Sequence, residues 1–136
     1  MKVLADTPVW SEAFRRVEGS GTKLRGEMEW LIAHGAVAIM GPIRQELLSG
    51  IKQLKQFEQV RDALRSFLDI PLVTEDFEMA AQYFNLCRSK GVQGSMTDFL
   101  ICAVAIRQDI EIFTTDLDFK HYHKHLPIAL YAGAQA

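Results

Sequence analysis

Short apolar runs alternate along this 136-residue chain with longer amphipathic ones, and few folds accommodate that alternation. Met1 to Asp6, AVAIM at 36–40, IEIFT at 110–114 and PIALY at 127–131 each read as a strand. Helical patterns lie between them. Thr7-Pro8 opens a helix, with proline tolerated in its first turn. From Thr22 to His34, Leu24, Met28, Leu31 and Ile32 recur at helical spacing, and Gly35 ends the pattern. Gly41-Pro42 turns into a short helix carrying Glu46, with Gly50 where a left-handed cap would sit. Ile51 to Leu68 predicts the longest helix, with Ile51, Leu54, Phe57, Leu64, Phe67 and Leu68 on its apolar side. IPLV at 70–73 contains Pro71 and is an edge strand at best. Thr74 reads as the N-cap of a helix reaching about Lys90, with Glu75 and Asp76 favoured by its dipole. The run 97–108 is apolar on nearly every face, which predicts a central buried helix. Strands that alternate with helices form a mainly parallel sheet covered on both faces. The expected architecture is a three-layer α/β/α domain spanning residues 1–136.

Composition excludes several classes. The chain is 49% hydrophobic and 24% charged, which describes an ordered globular protein. No apolar run reaches the roughly 20 residues needed to cross a bilayer. The start, MKVLADTPVW, carries an acid at position 6 and no signal-peptide cleavage pattern, so a cytoplasmic protein without a membrane partner is expected. Cys87 and Cys102 form no CxxC pair and sit in largely apolar helical stretches, as reduced core residues do. Net charge is −2, from 15 basic against 17 acidic residues, which taken alone argues against a protein that coats nucleic acid. Setting aside four acids that could share one pocket leaves 15 against 13, an excess of base over the rest. Arg15, Arg16, Lys23, Arg25 and Arg44, all in the first third, could then form a basic rim beside an acidic hole.

Those four acids are Asp6, Glu46, Asp98 and Asp116. Asp6 and Asp116 stand where short strands end. Asp98 heads the run DFLICAVAI, which has no other charge before Arg107, and Glu46 lies in PIRQELLSG. A carboxylate at the edge of a core costs several kcal/mol unless something compensates it. If the four converge, they form a site for a hard divalent cation bound by oxygen. Ligands in parallel α/β sheets bind beyond the carboxyl ends of strands, where Asp6 and Asp116 fall. Each acid also has an ordinary reading. Asp98 and Asp6 could cap helices, Glu46 could be a solvated helix residue, and Asp116 and Asp118 could be turn residues.

Taken in order, DTPVW, the Glu of QELLSG, SMTDFLICAVAI and TTDLDF resemble the PIN-domain ribonucleases. The closest likeness is to the VapC toxins of toxin–antitoxin pairs. The resemblance implies that Asp6, Glu46, Asp98 and Asp116 bind metal, with Asp118 as a companion and Thr114 orienting a carboxylate or water. It implies Mg²⁺, for which Mn²⁺ may substitute, and an endoribonuclease that hydrolyses tRNA or ribosomal RNA with a metal-activated water, leaving a 3′-hydroxyl and a 5′-phosphate. It further implies a homodimer and an antitoxin partner that covers the acidic site. The chain departs from the pattern at Pro8, where many relatives carry a small hydroxyl residue that supports the first Asp.

Other readings follow from the same residues. A PIN nuclease of RNA processing needs no antitoxin, and a non-catalytic PIN scaffold would be marked by loss of the acids, all of which are present. A phosphate-accepting signalling domain needs an acidic pair after the first strand, whereas Asp6 stands alone before Thr-Pro. His121, His123 and His125 would share one face of a strand, but the segment is polar and lacks a fourth ligand at zinc spacing, so a solvated or RNA-facing loop is expected. Trp10 and Trp30 could stack on bases, although such residues are more often core, and Trp10 is expected to pack near Asp6.

Overall fold

The computed structural model describes residues 2–14 and 22–133, so Arg15 and Arg16 of the expected basic rim lie outside the described residues. Strand β1 (Val3–Ala5) leads into helices α1 (Thr7–Phe14) and α2 (Thr22–Ala33), then β2 (Val37–Ala38) and α3 (Gly41–Leu48). Helices α4 (Leu54–Leu64), α5 (Thr74–Ser89) and α6 (Met96–Gln108) precede β3 (Glu111–Phe113) and the short α7 (Asp118–His123). The sheet order is β2-β1-β3, with both pairings parallel and Val3 in register with Val37 and Glu111.

The strands are shorter than the apolar runs that announce them, and two expected edges are single bridges. Asp69 pairs with Ile39 on one side, and Leu130 pairs with Ile112 on the other. The chain steps from β1 to β2 in one direction and returns past β1 to reach β3. Right-handed crossovers therefore place the intervening helices on opposite faces, giving the expected α/β/α layering. The reversal occurs at β1, so the switch point of the sheet is the end of the strand that carries Asp6.

Burial explains why β1 and α6 occupy the centre. Val3, Leu4 and Ala5 are fully buried, as befits a middle strand covered on both faces. Every residue from Phe99 to Ala105 is buried, so α6 is the apolar-all-round helix that its sequence predicts. Cys87 and Cys102 are free and buried. Trp10 is 1% exposed, donates its indole N–H to Ala5 O at 3.0 Å and meets Phe67 edge-on at 5.1 Å, a core residue beside the acids. Trp30 is half exposed and stacks on His34 at 4.0 Å.

Three local expectations are corrected. The helix predicted over 51–68 spans only Leu54–Leu64, and Leu54 and Leu68 are 69% and 91% exposed rather than core-facing. Arg44 is the physical reason at its far end. Its guanidinium donates to Leu64 O at 3.0 Å and Phe67 O at 2.6 Å while pairing with Asp69, which satisfies carbonyls that a continued helix would have used. Arg44 is thereby removed from the expected basic rim. The α5 cap is Val73, not Thr74, because Asp76 reaches back to accept the Val73 N–H at 3.0 Å. Asp76 is only 1% exposed and pairs in a forked geometry with Arg107 at 2.6 and 2.9 Å, which ties α5 to α6. Finally, the polar stretch around HYHKH is not a loop. Asp118 to His123 is helical, so His121 and His123 do not share a face as they would on a strand.

Candidate metal centre

Asp6 and Asp116 follow strands, whereas Asp98 and Glu46 lie within helices α6 and α3. Asp6 follows β1 directly. Its own N–H donates to Phe113 O at 2.8 Å, which holds the ends of β1 and β3 together, and its carbonyl accepts from Val9 and Trp10 in the first turn of α1. One carboxylate oxygen accepts the Thr7 N–H at 2.8 Å, and the other accepts the Thr114 hydroxyl at 2.9 Å. Asp6 therefore does cap α1, as its ordinary reading allowed, yet its second oxygen is turned across the sheet toward β3. Both oxygens are partnered without help from Pro8, so the hydroxyl missing there is not needed to hold them.

Thr114 does two things. Its hydroxyl donates to Asp6 and accepts the Asp116 N–H at 3.0 Å, so one side chain fixes both strand-end acids. Asp116 then accepts the Asp118 N–H at 2.9 Å, a local turn that starts α7. Asp98 is the third residue of α6. The cap there is Ser95, whose hydroxyl accepts the Asp98 N–H at 3.0 Å, so the Asp98 carboxylate is free of capping duty. It accepts instead from the Tyr122 hydroxyl at 2.7 Å.

The result is convergence of the start of α6 with the turn after β3. Carboxylate oxygens of Asp98, Asp116 and Asp118 lie within 4.8 Å of one another. Asp118, a companion by resemblance, is thus in the tightest group. Asp6 lies outside that triad but close enough for the charges of Asp98 and Asp116 to act on it. Glu46 is outside it as well. Its side chain is exposed and is tethered one residue from Asp6 by the Thr7 hydroxyl, at 2.9 Å.

Electrostatics record the crowding. Burial pushes Asp6 up from 3.8 to about 6, against the pull of its Thr114 and Thr7 hydrogen bonds, and the charges of Asp98 and Asp116 add to the rise. Burial likewise raises Asp98, opposed by Tyr122 and Ser95 and reinforced by Asp116 and Asp118. Beneath them, burial raises the Cys102 thiol, with Asp98 and Asp6 contributing, so it stays protonated and inert. Burial and the bond to Asp98 also raise the Tyr122 phenol, which remains a neutral donor at ordinary pH. A set of oxygen-only donors that repel one another in a partly dry setting fits a hard divalent cation, whose charge reverses the repulsion.

The sequence matches the PIN domain over residues 3–124, nearly the whole chain. This chain belongs to the PIN-domain family. The PIN fold is matched in solved structures at low identity. A chain of the FitAcB crystal structure from Neisseria gonorrhoeae is 19% identical with a TM-score of 0.75, over 95% of this chain and 96% of that one. A chain of VapBC2 from Rickettsia felis, bound to a DNA fragment from their promoter, is also 19% identical at 0.75, over 96% and 98%. A toxin–antitoxin complex from Klebsiella pneumoniae contributes a chain 22% identical at 0.63, over 87% and 90%. No curated protein matches the sequence.

In this PIN domain, sequence reasoning named the acids and Thr114 but passed over Tyr122, Thr7 and Ser95. The signal for Tyr122 was its spacing from Phe119: both are fully buried, and positions three apart share a helical face. Its neighbours His121 and Lys120 masked that spacing by making the stretch read as solvated. His123 serves structure, its Nδ1 lying 2.8 Å from Ile128 O in donor geometry.

Proposed function

We propose that this PIN domain is a divalent-metal-dependent endoribonuclease and the toxin of a toxin–antitoxin pair, acting on tRNA or ribosomal RNA in the cytoplasm. The observation that carries the reading is the convergence of Asp98, Asp116 and Asp118 within 4.8 Å at the switch point where Asp6 sits. Mg²⁺, with Mn²⁺ as a substitute, would be held by Asp98, Asp116 and Asp118 on the side facing Asp6, with Glu46 tethered beside Asp6 by Thr7. When bound, such an ion supplies positive charge at the phosphate and lowers the pKa of water.

The chain's own residues do the positioning. Thr114 locks Asp6 to Asp116, Ser95 holds the Asp98 backbone, and Thr7 holds Glu46 over the same end of the sheet. Water adds to phosphorus and the 3′ oxygen departs, leaving a 3′-hydroxyl and a 5′-phosphate. An antitoxin segment covers the acids in the inactive complex, and the toxin is a homodimer. Membership of the PIN family and the toxin–antitoxin complexes among its structural neighbours support the assignment.

The test is incubation of total cellular RNA with the purified chain, freed of any partner, with Mg²⁺ or Mn²⁺, with chelator, and beside Asp98→Asn. Discrete fragments bearing 5′-phosphates that vanish with chelator and with the variant are expected. Absence of cleavage by a folded wild type would overturn the nuclease assignment, and equal cleavage by Asp98→Asn would overturn the site.

A further inference from the structure

We infer that Tyr122 is a positioning residue of the acid centre. Its phenol, seated in the clearance left by Gly94, holds one oxygen of Asp98 so that the other is presented to the divalent cation. The inference rests on the metal-centre reading above and concerns residues which that reading does not require.

Three observations converge on it. First, the Tyr122 hydroxyl donates to Asp98 Oδ2 at 2.7 Å, while the Asp98 N–H is held by Ser95 Oγ at 3.0 Å. Asp98 is thereby gripped at both its backbone and one carboxylate oxygen. Second, the phenol ring is enclosed. Tyr122 is fully buried, with Phe99 at 4.8 Å on one side and Phe119 at 5.1 Å edge-on on another. Third, the backbone at Gly94 closes the remaining side. A Cβ there would overlap the phenol oxygen and lie 2.7 and 2.9 Å from ring carbons Cζ and Cε1. Full burial of the ring makes a swing that would relieve this overlap costly. Glycine at 94 is what lets the hydroxyl reach Asp98.

The link also spans elements. Tyr122 belongs to α7, the helix that Asp118 begins, and Asp98 belongs to α6. Their bond therefore helps to set how closely Asp98 approaches Asp116 and Asp118. Partners of metal ligands that act in this way are worth about 10- to 100-fold in metal affinity. A tyrosine that merely satisfied its own buried hydroxyl would alter stability alone.

Mn²⁺ binding to the purified chain, followed by the electron paramagnetic resonance signal of the free ion, separates these cases without reference to cleavage. Tyr122→Phe keeps the ring and removes only the hydroxyl. Gly94→Ala keeps the hydroxyl and displaces it. Each is expected to weaken Mn²⁺ binding about tenfold or more, with folding confirmed by circular dichroism. Wild-type affinity in folded Tyr122→Phe would overturn the positioning role and leave the metal centre standing. Failure of the wild type itself to bind Mn²⁺ would overturn both.

Discussion

Neutralising Asp6 should make the metal-free protein more stable. Asp6 is 5% exposed, and its pKa is pushed up from 3.8 to about 6, chiefly by burial. The folded chain therefore binds this proton more tightly than the unfolded chain does. The contribution of Asp6 to stability is fully present below about pH 4, falls as pH rises through the window from 3.8 to about 6, and stays lost above it. A rise of that size corresponds to a cost of about 3 kcal/mol at neutral pH. Asp6→Asn removes the charge but keeps the shape. The amide oxygen can still accept the Thr7 N–H, and the amide nitrogen can donate to the Thr114 oxygen. The variant should gain about 2–3 kcal/mol in chelator at neutral pH, raising Tm by roughly 6–9 °C for a domain of this length. Thermal melts by circular dichroism across this pH range should show the gap closing below about pH 4. Millimolar Mg²⁺ should raise the wild-type Tm more than the variant's. A variant no more stable than wild type at neutral pH in chelator would refute the claim that Asp6 is held charged at a cost.

Other residues give independent checks. Arg107→Met should destabilise by about 3–5 kcal/mol in urea titrations, because it strands the buried Asp76 charge, and adding Asp76→Asn should recover most of the loss without altering Mn²⁺ affinity. Thr114→Val should cost about 1–3 kcal/mol, since it strips a donor from Asp6 and an acceptor from the Asp116 N–H, and should weaken Mn²⁺ binding measured by calorimetry. Thr7→Val frees the exposed Glu46, so urea midpoints should stay within about 0.5 kcal/mol of wild type while the rate of RNA cleavage falls about tenfold.

The acids were legible because each sits at a break in an apolar pattern, where a charge has to be explained. Asp6 and Asp116 close strands, and Asp98 opens a helix whose residues from Phe99 to Ala105 are all buried. What tightened the site was hidden for physical reasons. Tyr122 lies in a stretch of His and Lys whose polarity outweighed the spacing that buries it against Phe99 and Phe119. Gly94 resembles any loop glycine until a ring is found pressed against it. Arg44 looked like part of a nucleic-acid rim because charge alone cannot distinguish a free guanidinium from one holding the Leu64 and Phe67 carbonyls. Asp76 looked like a dipole residue because its burial depends on Arg107, 31 positions away. Periodicity finds elements; long-range polar pairs become visible only when the chain is folded.

The proposed divalent-ion centre lies where the ends of β1 and β3 meet the start of α6. Crystals of the purified chain grown with Mn²⁺ and measured for anomalous scattering test it most directly. A peak is expected among the oxygens of Asp98, Asp116 and Asp118, on the side facing Asp6. A well-ordered crystal with no peak there, or with its only peak elsewhere, would contradict it.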